Sequence, residues 1–377
     1  MTKIRVLFFI YQMGAGGAAR TLLNIINNLD RERFEPVLVT LNYNGSYEHQ
    51  VKDDVTFRKV NTTRLSHSVK ELAGLIKEEQ ADLVFSTIPR VNTIATLAAK
   101  MARVPNIVRE ADNLGGTFKE NLQLKGFGLV YKAATQIVSL SEGVKENLVT
   151  RYHLKPDAIK VIYNPVDIQH IDEKKAVPLS SSEKRFFAQE ALNVITAGRL
   201  VPQKDQHTLF KALSIINQEM PVNLIILGEG PLYNELRSFA EELNIQDKIS
   251  FPGFQDNPYH WIANVDAFVL TSKHEGFSHV LAEALACGTR IVSTDCKSGP
   301  SEVLDNGKFG ELVPVGDAES LAEALKSVLT ESPEKRALQT KNGRERAMFF
   351  RADKIVREYE KLFQLTVERK SKGVDGS

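Results

Sequence analysis

Apolar and polar positions along the chain follow two periods that alternate with each other. Short apolar runs, the mark of a buried strand, fall at residues 4–11, 36–41, 82–87, 106–110, 136–140 and 160–163. Between them lie stretches of helical period. In residues 18–29, for example, Leu22, Leu23, Ile25, Ile26 and Leu29 share one stripe. From Ile168 to Glu190 the pattern fails, and Pro178 with Ser180-Ser-Ser-Glu-Lys-Arg185 reads as a linker. Alternation resumes with apolar runs at 193–198, 223–227, 249–254, 267–272, 290–294 and 311–315. Strands that alternate with helices favour parallel sheets covered on both faces. The pattern therefore predicts an α/β protein of two similar doubly wound halves, 1–170 and 191–350, with a linker at 171–190. A charged helical stretch follows Pro333 and runs to about Lys370, and residues 371–377 are expected to be a disordered tail.

Composition adds bounds. A chain of 377 residues is long enough for two domains of ordinary size. No apolar run approaches the ~18 residues of a spanning helix, and Met1-Thr-Lys-Ile-Arg-Val-Leu enters a strand without a signal-peptide layout. The expected compartment is the cytoplasm. Two cysteines, Cys287 and Cys296, suggest neither a disulfide framework nor a zinc site, and the eight histidines lack ligand spacing. No basic-aromatic pattern points to nucleic acid. Residues 1–175 hold 24 Lys and Arg against 19 Asp and Glu, and the remainder holds 24 against 28. That excess suggests a basic face resting on anionic lipid at the inner side of the plasma membrane. The amphipathic stretch 114–134, with Lys119, Lys125 and Lys132, is the candidate; a solvated surface of no special role explains the imbalance equally.

Three clusters carry candidate chemistry. Glu275 lies on the loop after the apolar run 267–272, and Glu283 lies eight residues on, inside a helix that ends at Gly288. The neighbours of Glu283 one turn away are His279, Val280, Ala286 and Cys287, so its carboxylate needs a partner. That partner is either structural or a ligand. Arg199 and Lys204 follow the first strand of the second half, at the carboxyl edge where open α/β sheets bind ligands; the alternative is two solvated loop cations. Gly14-Ala-Gly16-Gly17-Ala-Ala19 follows the first strand and matches a dinucleotide fingerprint. That reading requires an acid at the end of the second strand. Thr40-Leu-Asn-Tyr-Asn-Gly45 has none, which argues against a dehydrogenase. The loop is left as a phosphate-facing turn or a tight turn alone.

Taken together, these motifs resemble the retaining glycosyltransferases of family 4. The resemblance rests on the Glu-x7-Glu pair followed by Ala-Leu-Ala-Cys-Gly-Thr289, and on Ser298-Gly299-Pro300-Ser-Glu302. Gly198-Arg199-Leu-Val-Pro-Gln-Lys204-Asp205, Leu227-Gly-Glu-Gly-Pro231 and Phe251-Pro-Gly-Phe254 add to it, so that matching blocks run from about 193 to 320. The resemblance implies the GT-B architecture: two Rossmann-like domains facing a central cleft, with the final helix, 351–370, crossing back to the first. It implies that Glu283 binds the ribose and Glu275 the donor sugar, while Arg199 and Lys204 stabilise charge on the departing diphosphate. The backbone of Gly276, Phe277 and Ser278 cradles the sugar, the helix-opening amides from His279 through Val280 to Leu281 face the diphosphate, and Phe254 lines the base pocket. Gly14, Gly16 and Gly17 meet a phosphate or the acceptor.

One departure concerns the acceptor side. Many members carry a histidine at the end of a first-domain strand, but here the segment is Ile107-Val-Arg109-Glu110-Ala-Asp112-Asn113. Arg109, Glu110, Asp112 and Asn113 are the candidates in its place. The implied reaction moves a sugar, with retention, from a UDP-sugar to a hydroxyl of a glycan or polyprenyl-diphosphate-linked acceptor in surface polysaccharide synthesis. No Asp-x-Asp occurs, and no metal or cofactor is expected. A nucleotide-sugar epimerase and a non-catalytic nucleotide- or carbohydrate-binding protein are the alternatives.

Overall fold

A computed structural model describes residues 2–14, 16–111, 126, 128–187, 191–371 and 373. The chain divides into two compact units, Met1–Pro165 with Ala352–Ser377, and Val166–Arg351.

The first unit holds seven parallel strands: β1 (Ile4–Ile10), β2 (Phe34–Thr40), β3 (Thr56–Lys59), β4 (Leu83–Thr87), β5 (Asn106–Glu110), β6 (Gln136–Ser139) and β7 (Ile159–Val161). Their order is β3-β2-β1-β4-β5-β6-β7, so the winding reverses between β1 and β4. Successive side chains of a strand point to opposite faces. Leu7 and Phe9 accordingly join Val37, Val39 and Val84 under the helices Val69–Glu78 and Pro89–Ala102. Phe8 faces the other way, and there Phe34, Phe85, Tyr359 and Phe363 form an aromatic cluster with ring centroids 5.5–6.2 Å apart. Tyr359 and Phe363 belong to the C-terminal helix Ala352–Ser371, which this cluster seats on the first unit.

The second unit holds six parallel strands: β8 (Leu192–Ala197), β9 (Val222–Leu227), β10 (Ile249–Gly253), β11 (Ala267–Leu270), β12 (Ile291–Thr294) and β13 (Glu311–Val313). The order β10-β9-β8-β11-β12-β13 places the reversal between β8 and β11. Val194, Leu224, Ile226, Val269 and Val292 pack beneath the helices Gln206–Ile216 and Ala318–Leu329.

Two stretches differ from the sequence expectation. β3 was not anticipated, because Thr-Phe-Arg-Lys is an edge strand with a single large apolar residue. The stretch 171–190, expected as a linker, is in part structured. The helix Ile168–Lys175 buries Ile168 and Ile171, and Ser180 caps Ser181–Lys184 through a reciprocal box with Glu183. Beyond it, Phe186 and Phe187 pack their rings on buried Trp261.

Candidate active site

The reversal between β8 and β11 opens a crevice at the carboxyl edge of the second sheet, the usual ligand position in such folds. The two loops that border it are tied together. After β8, a single 3-10 turn (Pro202–Lys204) delivers Lys204, whose carbonyl accepts from Thr271 Oγ1 at 2.8 Å. The Lys273 amide donates to Gln203 O at 2.8 Å, and Gln203 Nε2 donates to His274 O at 2.8 Å. This lacing brings Lys204 Nζ to 2.6 Å from Glu275 Oε1, which also accepts from Ser272 Oγ at 2.6 Å. A cation and a carboxylate 71 positions apart thus meet at the sheet reversal. Arg199, on the same loop after β8, is exposed, its carbonyl accepting from Gln206 Nε2 at 3.2 Å; among the described residues its guanidinium makes no ion pair.

From Glu275 the chain turns sharply into the helix His279–Cys287. Ser278 takes a left-handed conformation with φ 65°, and Phe277 buries its ring edge-on against Phe350, with centroids 5.1 Å apart. Gly276, between Glu275 and Phe277 in the chain, is also buried. The turn closes onto Gly299: a Cβ there would lie 2.9 Å from Phe277 C and 3.0 Å from Ser278 Oγ, at a φ of 83°. Only glycine fits. The Leu281 amide donates to Ser278 O at 3.0 Å, and its side chain is in the core. It is therefore not one of the open helix amides the sequence had suggested, while half-buried Val280 and His279 begin the helix.

Glu283 is buried on this helix and is held by a residue that the sequence did not single out. Tyr259 OH donates to Glu283 Oε1 at 2.9 Å, and His279 Nε2 lies 3.5 Å from the same oxygen. Both partners gather on one carboxylate oxygen. The nearby thiols are inert: burial, with the charge of Glu283 adding to it, pushes Cys287 up to about 12, and burial, with the charge of Glu275 adding, does the same to Cys296. Phe254 follows β10, half-buried, two strands out from β8.

In the first unit, Gly14 and Gly16 lie between β1 and the helix Gly17–Asn28, which Gly17 opens. A Cβ on Gly16 or Gly17 would meet nothing within 4 Å, so open space lies over this loop. Arg109 and Glu110, the acceptor-side candidates, are both buried. Arg109 is 1% exposed; its Nε donates to Tyr359 OH at 3.2 Å, Nη1 to Thr87 Oγ1 at 3.1 Å, and Nη2 to Asn164 Oδ1. Glu110 is fully buried, accepting from Tyr131 OH and from the Ala111 amide at 2.8 Å. Burial and the Glu110 charge hold the Tyr131 hydroxyl well above its usual range. Through Tyr359, Arg109 ties β5 to the C-terminal helix. Asp112, Asn113, Lys119 and Lys125 lie outside the described residues, and Lys132 is exposed. Among the described residues, no three His, Cys, Asp or Glu side chains converge as metal ligands, and no helix is long and apolar enough to cross a membrane.

Comparison with known proteins matches both halves. Residues 15–170 match the family described as Glycosyltransferase Family 4, and residues 180–346 match Glycosyl transferases group 1. The chain is similar to N-acetylgalactosamine-N,N'-diacetylbacillosaminyl-diphospho-undecaprenol 4-alpha-N-acetylgalactosaminyltransferase of Campylobacter jejuni. It is 29% identical over 371 residues, covering 93% of this chain and 96% of that protein. It is similar to lipopolysaccharide 1,6-galactosyltransferase of Salmonella typhimurium, 30% identical, with 72% of each chain covered. Its fold is similar to that of Anabaena HepE solved with UDP-glucose, with a TM-score of 0.83 and 22% identity across 96% of this chain and 99% of that one. The chain belongs to the glycosyltransferases, with a family 4 first half, a group 1 second half and the GT-B fold.

Proposed function

We propose that this enzyme transfers a sugar, with retention, from a UDP-sugar to a saccharide hydroxyl on a polyprenyl-diphosphate-linked acceptor. The observation that carries the reading is the Lys204–Glu275 couple at the β8–β11 reversal, with Glu283 fixed by Tyr259 on the adjoining helix. Glu283 keeps its second oxygen, Oε2, for the ribose hydroxyls. Lys204 and Arg199 face the diphosphate, whose negative charge grows as the glycosidic bond breaks. Cations fixed before reaction stabilise that state more than the bound donor. Glu275 orients Lys204 and takes a hydrogen bond from the donor sugar. The acceptor oxygen attacks the face that the phosphate leaves, and the departing phosphate oxygen takes its proton. In this scheme Lys204 and Arg199 supply the countercharge, and no divalent ion is required.

The UDP-glucose complex of HepE supports a UDP-linked donor. The names of the Campylobacter and Salmonella relatives support a lipid-linked glycan in surface polysaccharide synthesis. Peripheral contact with the membrane follows from such an acceptor. The test is incubation with radiolabelled UDP-sugars and vesicles carrying polyprenyl-diphosphate-linked saccharides, with and without EDTA. Label passing into the organic extract at an EDTA-independent rate is expected. Epimerised sugar formed from donor alone, or donor binding without turnover, contradicts the proposal.

A further inference from the structure

Arg346, in the last turn of the helix Pro333–Ala347, joins two segments that wall the loop after Glu275, and no step above uses it. The first segment is the short helix Pro300–Val303. The last carbonyls of a helix have no partner within it. Here Pro300 O accepts from the Leu304 amide and Ser301 O from the Asn306 amide, both at 2.8 Å. Arg346 takes the other two: Nε donates to Val303 O at 2.9 Å, and Nη2 to Glu302 O. This helix opens at Gly299, where Phe277 and Ser278 fill the space a Cβ would need. The turn therefore meets Phe277 backbone to backbone, with no side chain between them to absorb a shift.

The second segment is the aromatic pair Phe349–Phe350. The guanidinium carbon of Arg346 lies 4.9 Å from the centroid of each ring. Phe350 is fully buried, and its ring is the one that meets Phe277 edge-on. Its carbonyl accepts from the Val166 amide at 2.8 Å, which fixes the backbone that carries the ring. A guanidinium serves both segments because its edge carries the N–H donors while its faces stack on rings; an ammonium has no such faces.

An arginine that only held the fold together would, once replaced, weaken every ligand of this unit alike. The contacts of Arg346 are more selective. Glu283 is held by Tyr259, and Lys204 by Thr271 and Glu275, so the groups read above as binding the nucleotide have other supports. Phe277 is braced through Arg346 twice, at its ring by Phe350 and at its backbone by Gly299. We propose that Arg346 is a positioning residue for the donor sugar, setting the place of the Gly276–Phe277–Ser278 backbone. The inference rests on the transferase reading, in which that backbone cradles the sugar. A misplacement of about 1 Å in a reacting group can cost about 10² in rate, so a small relaxation of this loop is measurable.

The test uses the full chain and compares UDP with whole donors. Calorimetry gives the Kd for UDP. Release of UDP from UDP-glucose, UDP-galactose and their 2-acetamido counterparts gives kcat/KM for the preferred donor. Arg346→Lys keeps the charge and loses the planar fork; Phe350→Leu keeps apolar bulk and loses the ring. In both variants UDP should bind within about twofold of native, while kcat/KM for the preferred donor falls about tenfold or more. Loss of UDP affinity in step with kcat/KM, or native kcat/KM in Arg346→Lys, overturns the positioning role and leaves the transferase reading standing. Failure of the native chain to bind UDP, or to release it from any of the four donors, overturns the transferase reading and this role with it.

Discussion

Lys204→Ala separates a structural ion pair from a catalytic cation. The side chains of Lys204 and Glu275 are 17% and 11% exposed, and their charged atoms are 2.6 Å apart. Removing one partner of a fully buried pair costs about 3–5 kcal/mol, because the other charge is stranded. Partial exposure and the remaining Ser272 hydrogen bond reduce this to about 1–3 kcal/mol here. For a unit of this size, each kcal/mol moves the midpoint by about 2–4 °C, so Lys204→Ala should melt about 2–12 °C lower. Lys204→Ala/Glu275→Ala strands no charge and should recover most of that loss. Activity should not follow. If Lys204 acts on the diphosphate, kcat falls by about 10²–10³ in the single variant and stays down in the double. The assay is UDP release from the donor, with melting measured on the same samples. Native kcat in Lys204→Ala, or activity that returns with stability in the double variant, would refute the catalytic role and leave a salt bridge.

Other outcomes follow from the same coordinates. Tyr259→Phe frees Glu283 to turn, and should raise KM for the donor about tenfold, or ~1.4 kcal/mol, with kcat nearly native; a fall in kcat alone contradicts the positioning role. Cys287 and Cys296, buried with thiols at about 12, should resist iodoacetamide at pH 8 in the native protein and react in urea; mass spectrometry reads both states. Burial raises the folded carboxyl of Glu360 above its unfolded value, so its contribution is fully present below the unfolded range and is lost as pH rises through the folded one. Glu360→Gln should therefore melt higher than the native protein at pH 7.5, and the gain should disappear at about pH 4. A gain that persists at low pH contradicts this assignment.

The strands were legible wherever burial on both faces wrote a continuous apolar run, as in Val-Leu-Phe-Phe-Ile of β1. Thr56–Lys59 was not legible, because an edge strand with one large apolar residue carries no such run. Residues 168–175 read as linker because Ile168 and Ile171 are the whole apolar face of a helix otherwise polar and charged. In the candidate site, Glu275, Glu283 and Lys204 were visible as a spaced motif. Their meeting across 71 residues depends on which strands lie beside the reversal, and no local pattern encodes that. Tyr259 was missed because Tyr-His-Trp-Ile reads as core; the segment is buried, but the Tyr259 hydroxyl is aimed at Glu283 and the His260 ring meets Asn257 and Glu183. The burial of Arg109 and Glu110 was not legible either. Charges at a strand end look solvent-facing until Thr87, Asn164, Tyr131 and Tyr359, all distant in sequence, supply their hydrogen bonds.

The central claim, retaining transfer from a UDP-sugar, is tested most directly by the anomer first released from the donor. The purified chain is mixed with UDP-glucose, UDP-galactose and their 2-acetamido counterparts in EDTA, and the anomeric protons are followed by NMR before mutarotation. Slow hydrolysis of one donor, with the α-sugar appearing first and the rate lost in Lys204→Ala, is the predicted result. A β-sugar appearing first, or no UDP released from any donor, would contradict the account.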